Sequence, residues 1–355
     1  MKITVIGTGN GGQAIAGYMA KEGHKITLYG RDREKVAELK ELGGITLKGR
    51  LKGFGALDCI TSNLCEAVEG AEIIMIATTA NAHKEIATKL APYIEDGQII
   101  ILNPGRTCGA LEFKQAMLAN GCNKHFYIAE AQTLVYACRL VKNGKVNIIG
   151  VKDEVFVSAL PSSDTGYILQ KTNNIFPCFK PAKNVLQTSL ENIGAIFHPC
   201  VLLFNAATIE RKNEFYFYRD MTPKISEFIE EFDKERIAVG KAYGIDLLGA
   251  SDWVTFAYQG TQGDTLCEKM RNNPAYYDIK SPSSIYTRQL MEDIPTGVLP
   301  IMELGKVAGL RMQLFESMVT ICSALLNVDF SKNGRTLESL GLAGMSKEAI
   351  LNYIL

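Results

Sequence analysis

The stretch Met1-Lys-Ile-Thr-Val-Ile-Gly-Thr-Gly-Asn-Gly-Gly12 decides the fold of this chain. A β-rich run leads directly into the pattern G-x-G-x-x-G, and the apolar helical stretch that follows ends at Gly23. In dinucleotide-binding units the first glycine permits a tight turn, the second lets the backbone approach a pyrophosphate, and the third lets the helix lie close to the sheet. The N–H groups at the helix start face the phosphates. The residues predicted to bind a dinucleotide here are Gly7, Gly9, Asn10, Gly11 and Gly12.

The end of the second predicted strand, Lys25–Tyr29, indicates which nicotinamide is bound. NAD-binding units carry an acidic residue here, which accepts a hydrogen bond from the adenosine ribose. This chain has Gly30 and Arg31 instead, and an arginine can pair with the 2′-phosphate of NADP. Arg31 therefore favours NADP over NAD as the cofactor, with a solvated surface charge as the alternative explanation. Asp32 is expected to cap the next helix.

The composition indicates a globular protein of about two domains. Of its 355 residues, 47% are hydrophobic and 21% are charged, and the formal net charge is zero. Charge therefore favours neither nucleic acid nor an anionic membrane as a partner. With no apolar run long enough to span a bilayer and no signal peptide expected, we predict a cytoplasmic protein. Nine scattered cysteines without a C-x-x-C pattern are typical of reduced thiols, so no disulfide framework or metal site is expected.

Strands alternate with helices beyond the first unit, which predicts a doubly wound parallel sheet. Buried-strand runs at 71–77 and 98–102 flank a helical stretch at 81–90. Because the carboxyl ends of parallel strands face the ligand crevice, Thr78 and Asn103 are predicted to contact the cofactor.

Later segments are expected to extend this sheet. They comprise a helix at about 111–119, a strand at 125–129, a segment near 146–151 and a helix near 153–160. Glu130 follows the strand at 125–129 and is also predicted to contact the cofactor.

Patterns typical of long helices dominate the second half. Thr222-Pro223 resembles an N-cap followed by proline at the first helical position, and helical spacing continues to Gly244. The pattern at residues 300–328 predicts another long helix, and the pattern at 346–355 predicts a short terminal helix. We predict a Rossmann-type α/β domain over residues 1–185 followed by a mostly α-helical domain over 186–355. The long apolar helices are compatible with internal packing and with a homodimer.

The chain offers few groups for proton transfer. A dehydrogenase needs a proton donor or acceptor beside the carbon that exchanges hydride, and histidine suits this role. Of four histidines, His24 and His125 are expected at the sheet edge away from the crevice. His83 follows a crevice-side strand, and His198 opens the helical domain.

A histidine base works better with a carboxylate that fixes its tautomer. The acids of Glu292-Asp293 precede Pro295 and Gly297, which predict a turn within a long, loop-like region at 260–298. Spacing alone does not choose them over Asp264 or Asp278.

Several stretches resemble the octopine/nopaline (opine) dehydrogenase family over nearly the whole chain. Besides the glycine motif they are Asn103-Pro-Gly105, Ala129–Arg139, His198-Pro199, Tyr286–Gly297 and Gly334–Gly341. The His-Pro and Glu-Asp-Ile-Pro pieces are much more specific than the glycine motif.

The resemblance implies a Rossmann domain followed by a helical domain. It also implies NAD(P)H-dependent reductive condensation of an amino acid with a 2-oxo acid, such as pyruvate, through an imine. It puts the catalytic histidine on His198, its partner on Asp293, and a substrate-carboxylate ligand on Arg288. Asn192 is the nearest match to the family's asparagine before the histidine. Tyr136 is a further candidate for the substrate site, with packing as the alternative.

Two other functions stay open. Lys183 resembles the acid/base lysine of sugar-phosphate and polyol dehydrogenases, so a related two-domain reductase of a 2-oxo acid, hydroxy acid or polyol phosphate is the first. The second is a redox-responsive protein that binds NADP(H) without chemistry. The possible proton-transfer pair favours an enzyme.

Overall fold

The structure, a computed structural model, describes residues 1–258 and 260–355. They form two compact units, one of residues 1–189 with 352–355 and the other of residues 190–351. The division lies close to the predicted boundary between residues 185 and 186. The chain end returns to the N-terminal unit, where the Leu355 carbonyl accepts from Ser163 N at 3.1 Å. The Lys114 ammonium lies 5.6 Å from the centre of the Tyr353 ring.

The N-terminal unit contains both sheets of the described chain. Its strands are β1 (Lys2–Ile6), β2 (Lys25–Tyr29), β3 (Gly44–Gly49), β4 (Gly53–Ala56), β5 (Cys59–Thr61), β6 (Ile73–Ile76), β7 (Ile99–Leu102), β8 (Tyr127–Ala131), β9 (Tyr136–Lys142), β10 (Lys145–Val151), β11 (Val155–Ala159) and β12 (Phe179–Pro181). Its helices are α1 (Asn10–Lys21), α2 (Arg33–Leu42), α3 (Leu64–Val68), α4 (His83–Leu90), α5 (Gly109–Ala119), α6 (Thr165–Thr172) and α7 (Val185–Leu190), with 3₁₀ turns at Ala80–Ala82, Ala91–Tyr93 and Ser162–Asp164.

The larger sheet has the strand order β12-β11-β8-β7-β6-β1-β2-β5. The pairs from β5 to β8 are parallel, and β11 is antiparallel to β8. Strands β6 and β7 are buried along their whole length, as expected where helices cover both faces. The doubly wound parallel sheet is therefore confirmed.

The register of this sheet aligns the carboxyl ends of its central strands. Ile6 pairs with Ile76, Ile76 with Leu102, and Leu102 with Glu130. The residues that follow these strand ends consequently share one edge of the sheet. The strand order reverses at β1 and β6, which is the position where such sheets bind their ligands.

Two expectations about the outer part of this unit were wrong. Residues 155–159 form strand β11, not a helix, because Val155 and Val157 alternate with Phe156 in a pattern that suits a strand. Residues 145–151 form β10 in a separate sheet of order β4-β3-β10-β9. They pair with β3 and β9, so they do not extend the large sheet.

Helices make up nearly all of the C-terminal unit. They are α8 (Gly194–Phe204), α9 (Ala206–Glu210), α10 (Pro223–Ala242), α11 (Ala250–Ala257), α12 (Leu266–Arg271), α13 (Arg288–Asp293), α14 (Leu299–Val307), α15 (Gln313–Leu326), α16 (Phe330–Asn333) and α17 (Lys347–Ile354), with a π-helical turn at Ile294–Val298. The N-cap predicted for α10 is confirmed, since Thr222 Oγ1 accepts from Ile225 N at 3.4 Å.

Two helical expectations were wrong. The helix predicted at 300–328 is interrupted, because the backbone turns left-handed at Gly309 (φ +75°) and Leu310 N bonds back to the Gly305 carbonyl. Pro295 and Gly297 do not form a loop turn. They lie in the π-helical turn that continues α13 into α14.

Within the described residues, no helix combines the length and the apolar character that crossing a bilayer demands. In the same part of the chain, no group of three or more His, Cys, Asp or Glu side chains is arranged to hold a metal ion.

Candidate active site

His198 and Asp293 meet inside the C-terminal unit. His198 lies on α8, a helix of mostly buried apolar residues, and Asp293 is the last residue of α13, which packs against α8. The distance between His198 Nδ1 and Asp293 Oδ2 is 2.6 Å. The Asp293 side chain is 4% exposed and the His198 side chain 22%. This arrangement agrees with the pairing that the sequence predicted.

The π-helical turn after Asp293 brings α13 close to α8. A Cβ atom on Gly297 would lie 2.6 Å from the Ala195 Cβ, so only glycine allows this approach. Thr296 Oγ1 donates to the Glu292 carbonyl at 2.8 Å and so helps to hold the turn. π-Helical turns inside α-helices occur frequently at functional sites.

The hydrogen-bonding roles at His198 follow from its two partners. An ionised carboxylate can only accept, so Nδ1 carries a proton and donates it to Asp293. In the neutral ring this leaves a lone pair on Nε2.

Tyr218 contacts the other ring nitrogen, and sequence reasoning missed it. Its hydroxyl lies 3.1 Å from His198 Nε2. Tyr218 is 6% exposed and stacks on Tyr276 with ring centres 4.4 Å apart. Burial, followed by the neighbouring Tyr258 and Asp293, raises the pKa of the Tyr218 hydroxyl far above its usual range, so it stays protonated. The aromatic run at 215–218 was the only signal in the sequence.

Arg288 begins the short helix that Asp293 ends. Its side chain is 58% exposed, and Nη1 lies 3.2 Å from Oε2 of the buried Glu292. The remaining N–H groups of an arginine can bind a second carboxylate in two-point contact. Its predicted role in substrate binding stays a prediction.

Asn192 and Tyr136 lie in different units. Asn192 is buried just before α8, where its carbonyl accepts from Ala195 N at 3.2 Å. Tyr136 lies on β9, is 5% exposed, and packs edge-on against Tyr18. These contacts agree with the packing alternative for Tyr136. The predicted substrate contacts of both residues are untested.

The glycine motif forms the expected turn between β1 and α1. Gly7 has a φ of +125°, and a Cβ on Gly12 would lie 1.8 Å from the Gly7 carbonyl oxygen. Gly9 precedes the first residue of α1, and no heavy atom lies within 4 Å of the position that its Cβ would take. The first turn of α1 contains no acidic residue. Open space before an uncapped helix start is what a pyrophosphate requires.

Polar atoms at the same edge also fit a bound dinucleotide. Thr78 follows β6 and Asn103 follows β7; Thr78 Oγ1 and both amide atoms of Asn103 are buried without a hydrogen-bond partner among the described residues. Buried polar atoms of this kind need a partner. Asn10 Oδ1 instead accepts from Leu140 N at 2.9 Å, which ties the helix start to β9. Gly11 lies against the Leu134 side chain.

Arg31 and Glu130 differ strongly in exposure. The Arg31 side chain is 79% exposed and lies 3.6 Å from Glu85, which leaves its other N–H groups accessible. Glu130 is fully buried, and its carboxylate accepts from Ala110 N, Thr188 Oγ1 and Ser189 Oγ at 2.6–2.8 Å. These contacts support a structural role for Glu130. Its predicted contact with the cofactor is untested.

The other candidates for proton transfer lie in the N-terminal unit. His83 is fully buried and packs edge-on near Phe113. His24, His125 and Lys183 belong to the same unit. Among the described histidines, His198 thus has a carboxylate on one ring nitrogen and a hydroxyl on the other.

Comparison with known proteins covers both units. Residues 181–326 match the family model of the NAD/NADP octopine/nopaline dehydrogenase, alpha-helical domain. Residues 2–102 match the model of the NADP oxidoreductase, coenzyme F420-dependent. An opine dehydrogenase of Arthrobacter sp. (strain 1C) is 36% identical over 352 residues, covering 99% of this chain and 98% of the relative.

Solved structures share the fold. An octopine dehydrogenase in complex with NADH and agmatine superimposes with a TM-score of 0.84 at 20% identity, covering 99% of this chain and 98% of that one. A yersinopine dehydrogenase with bound NADP+ gives 0.73 at 13% identity, covering 100% and 97%.

Proposed function

Because this chain belongs to the opine dehydrogenase family, we propose that His198 and Asp293 handle the proton in an NAD(P)H-dependent condensation of an amino acid with a 2-oxo acid. The observation that carries this proposal is the 2.6 Å contact between His198 Nδ1 and the buried Asp293 carboxylate. It supplies an imidazole with a fixed tautomer and a stabilised charged form.

The reaction joins two molecules and removes one water. The amine nitrogen attacks the carbonyl carbon of the 2-oxo acid and passes one of its protons to the oxygen. The oxygen takes a second proton from an acid and leaves as water, and the protonated imine that remains keeps one N–H. Addition of hydride to its carbon then yields the neutral secondary amine. NAD(P)H, when bound, would supply that hydride.

His198 is proposed to act as the acid in this sequence. Protonated on both nitrogens, it gives the proton on Nε2 to the oxygen that leaves as water, while Nδ1 stays bonded to Asp293. Asp293 stabilises the imidazolium beforehand and fixes the ring orientation. A positioned acid contributes about 100- to 10,000-fold to the rate.

Arg288 is proposed to hold a substrate carboxylate. Its exposed side chain and its position at the start of the helix that Asp293 ends support this role. Glu292 holds one edge of the guanidinium, which reduces the freedom that substrate binding would otherwise remove. Asn192 and Tyr136 are retained as candidate substrate contacts.

The glycine turn and the unsatisfied atoms of Thr78 and Asn103 support the N-terminal unit as the holder of NAD(P). Arg31 supports a preference for NADP, because it is exposed and cationic where NAD-specific units carry an acid. We also propose a cytoplasmic location, which nine cysteines that form no disulfide among the described residues support.

The decisive experiment is a substrate screen. The common amino acids are combined with pyruvate, oxaloacetate or 2-oxoglutarate, and oxidation of NADH and NADPH is followed. We expect oxidation only when both an amino acid and a 2-oxo acid are present. Oxidation with a 2-oxo acid alone would instead identify a simple oxo-acid reductase.

The His198→Ala variant tests the acid. We expect turnover to fall about 100-fold or more while NAD(P)H binding is retained. Retained turnover in this variant would remove His198 from the mechanism.

A further inference from the structure

Tyr218 occupies the one ring nitrogen of His198 that Asp293 does not hold. Its hydroxyl lies 3.1 Å from Nε2, although the backbone at Tyr218 belongs to a turn and not to the helices that carry the other two residues. The three side chains all belong to the C-terminal unit.

Resting on the proposed function of His198, we propose that Tyr218 is a positioning residue whose hydroxyl donates to Nε2. The contact holds the neutral ring in the tautomer with its proton on Nδ1. It also restricts rotation of the imidazole about the Cβ–Cγ bond of His198.

The surroundings of Tyr218 hold its ring rigidly. It stacks on Tyr276 at 4.4 Å with 26° between the ring planes, and it meets Phe217 edge-on at 4.7 Å. The Tyr276 hydroxyl is bonded to that of Tyr258 at 2.6 Å. The Phe217 backbone N–H also donates to the Ile279 carbonyl at 2.7 Å. These contacts hold the Tyr218 ring in place beside His198.

The direction of the hydrogen bond follows from the chemistry. A buried, neutral phenol has one O–H to donate, and Nε2 of the neutral ring has one lone pair to accept it. When Nε2 gains a proton, the phenol oxygen must become the acceptor, and a phenol is the poorer partner in that role. The hydrogen bond that the Tyr218 hydroxyl donates to Nε2 therefore requires the neutral form of the ring.

The other buried ionisable groups on α8, α10 and α13 are either ion-paired or uncharged. On α13, Glu292 pairs with Arg288. On α10, which also packs on α8, the buried Asp233 pairs with Arg236. On α8 itself, burial raises the pKa of the Cys200 thiol well above its usual range, so Cys200 is uncharged.

The hydroxyls of Tyr258 and Tyr276 are uncharged as well. Burial raises the pKa of both hydroxyls. Among the residues that the structure describes, Asp293 and Tyr218 are the two groups in hydrogen-bond contact with the His198 ring.

The test compares Tyr218→Phe with a matched control, Tyr276→Phe. Both variants remove one hydroxyl from the same stack and keep the rings, but only the first removes the contact to Nε2. The imidazole signals of the four histidines are titrated by NMR, and the His198 signal is identified by its absence in His198→Gln.

We expect the His198 titration midpoint to move to higher pH by roughly 0.5 to 1 unit in Tyr218→Phe. It should stay at the wild-type value in Tyr276→Phe. The pH profile of kcat should move in the same direction as the NMR midpoint, with the KM values changed less than kcat.

An unchanged or lowered midpoint in Tyr218→Phe would overturn the proposal, as would equal shifts in both variants, which would indicate loss of packing alone. The NMR titration needs no turnover. If the wild-type protein condenses no amino acid with any 2-oxo acid, the proposed function fails, yet the titration still decides the role of Tyr218.

Discussion

Asp293 lies 2.6 Å from His198 even though 95 residues separate the two in the sequence. The contact depends on the packing of α13 against α8, which Gly297 permits by its close approach to Ala195. The pair proposed to handle the proton is thus brought together by helix packing.

Asp293→Asn should lower kcat roughly 100-fold or more. An amide at this position can donate to Nδ1, which would move the ring proton to Nε2 and leave no carboxylate to stabilise the imidazolium. Steady-state kinetics measure the loss, and a fluorescence titration with NADPH checks that cofactor binding persists. A variant with nearly wild-type kcat would exclude Asp293 from the mechanism.

Gly9→Ala and Gly12→Ala should separate cofactor binding from folding. The Gly9 backbone (φ −82°) accepts alanine, and the space around it is open, so the melting temperature should stay unchanged. The added methyl would meet the pyrophosphate, and we expect NAD(P)H affinity to fall about tenfold or more.

Gly12→Ala is the contrasting variant. Its Cβ would lie 1.8 Å from the Gly7 carbonyl oxygen, so this change should lower the melting temperature itself. Calorimetry and cofactor titration of both variants give the comparison. Wild-type affinity in Gly9→Ala would argue against a pyrophosphate at this turn.

Asp233→Asn should destabilise the C-terminal unit by about 3–5 kcal/mol. Asp233 and Arg236 are each 2% exposed, and Arg236 also donates to the Leu190 and Leu248 carbonyls. Removing the carboxylate leaves a buried guanidinium without its counter-charge.

The control for this variant lies on the same helix. Glu231 pairs with Lys234 at the surface, and Glu231→Gln should cost less than about 1 kcal/mol. Denaturant unfolding measures both changes. Similar small decreases in the free energy of unfolding of the two variants would contradict the large stabilisation assigned to the buried pair.

Thiol reactivity should be confined to the surface cysteines at neutral pH. Burial raises the pKa of Cys138 to about 11 and that of Cys322 to about 12, so at pH 8 less than roughly one in a hundred of these groups is the reactive thiolate. Cys65 is exposed. A thiol-specific disulfide reagent should therefore modify Cys65 first.

The Cys65→Ser variant should lose the fastest phase of labelling, and the buried groups should react only with unfolding. Rapid labelling of Cys322 in the folded protein would contradict its burial.

Local signals predicted much of the N-terminal unit. The turn at Gly7, the cap at Asp32 and the strands that end before Thr78 and Asn103 depend on neighbours in the sequence. Strand β11 was missed because a short apolar run is also compatible with a helix, and its pairing with β8 decides between them.

The site needed more than local pattern. Spacing alone did not choose Asp293 over other acids, and only the family resemblance paired it with His198. Tyr218 was not predicted, because its contact with Nε2 depends on a turn that is fixed by backbone bonds to residues 279 and 281. Long-range packing of this kind leaves no periodic trace in the sequence.

The return of the chain end to the N-terminal unit has a practical consequence for dissection. The polypeptide crosses between units after Ser189 and again before Asn352, so one cleavage near residue 189 leaves the second fragment anchored by its final residues. An isolated dinucleotide-binding half would lack the carbonyl that caps Ser163. Separating the halves cleanly requires two cuts, and the missing tail has to be supplied again as a peptide or grafted back onto the shortened chain.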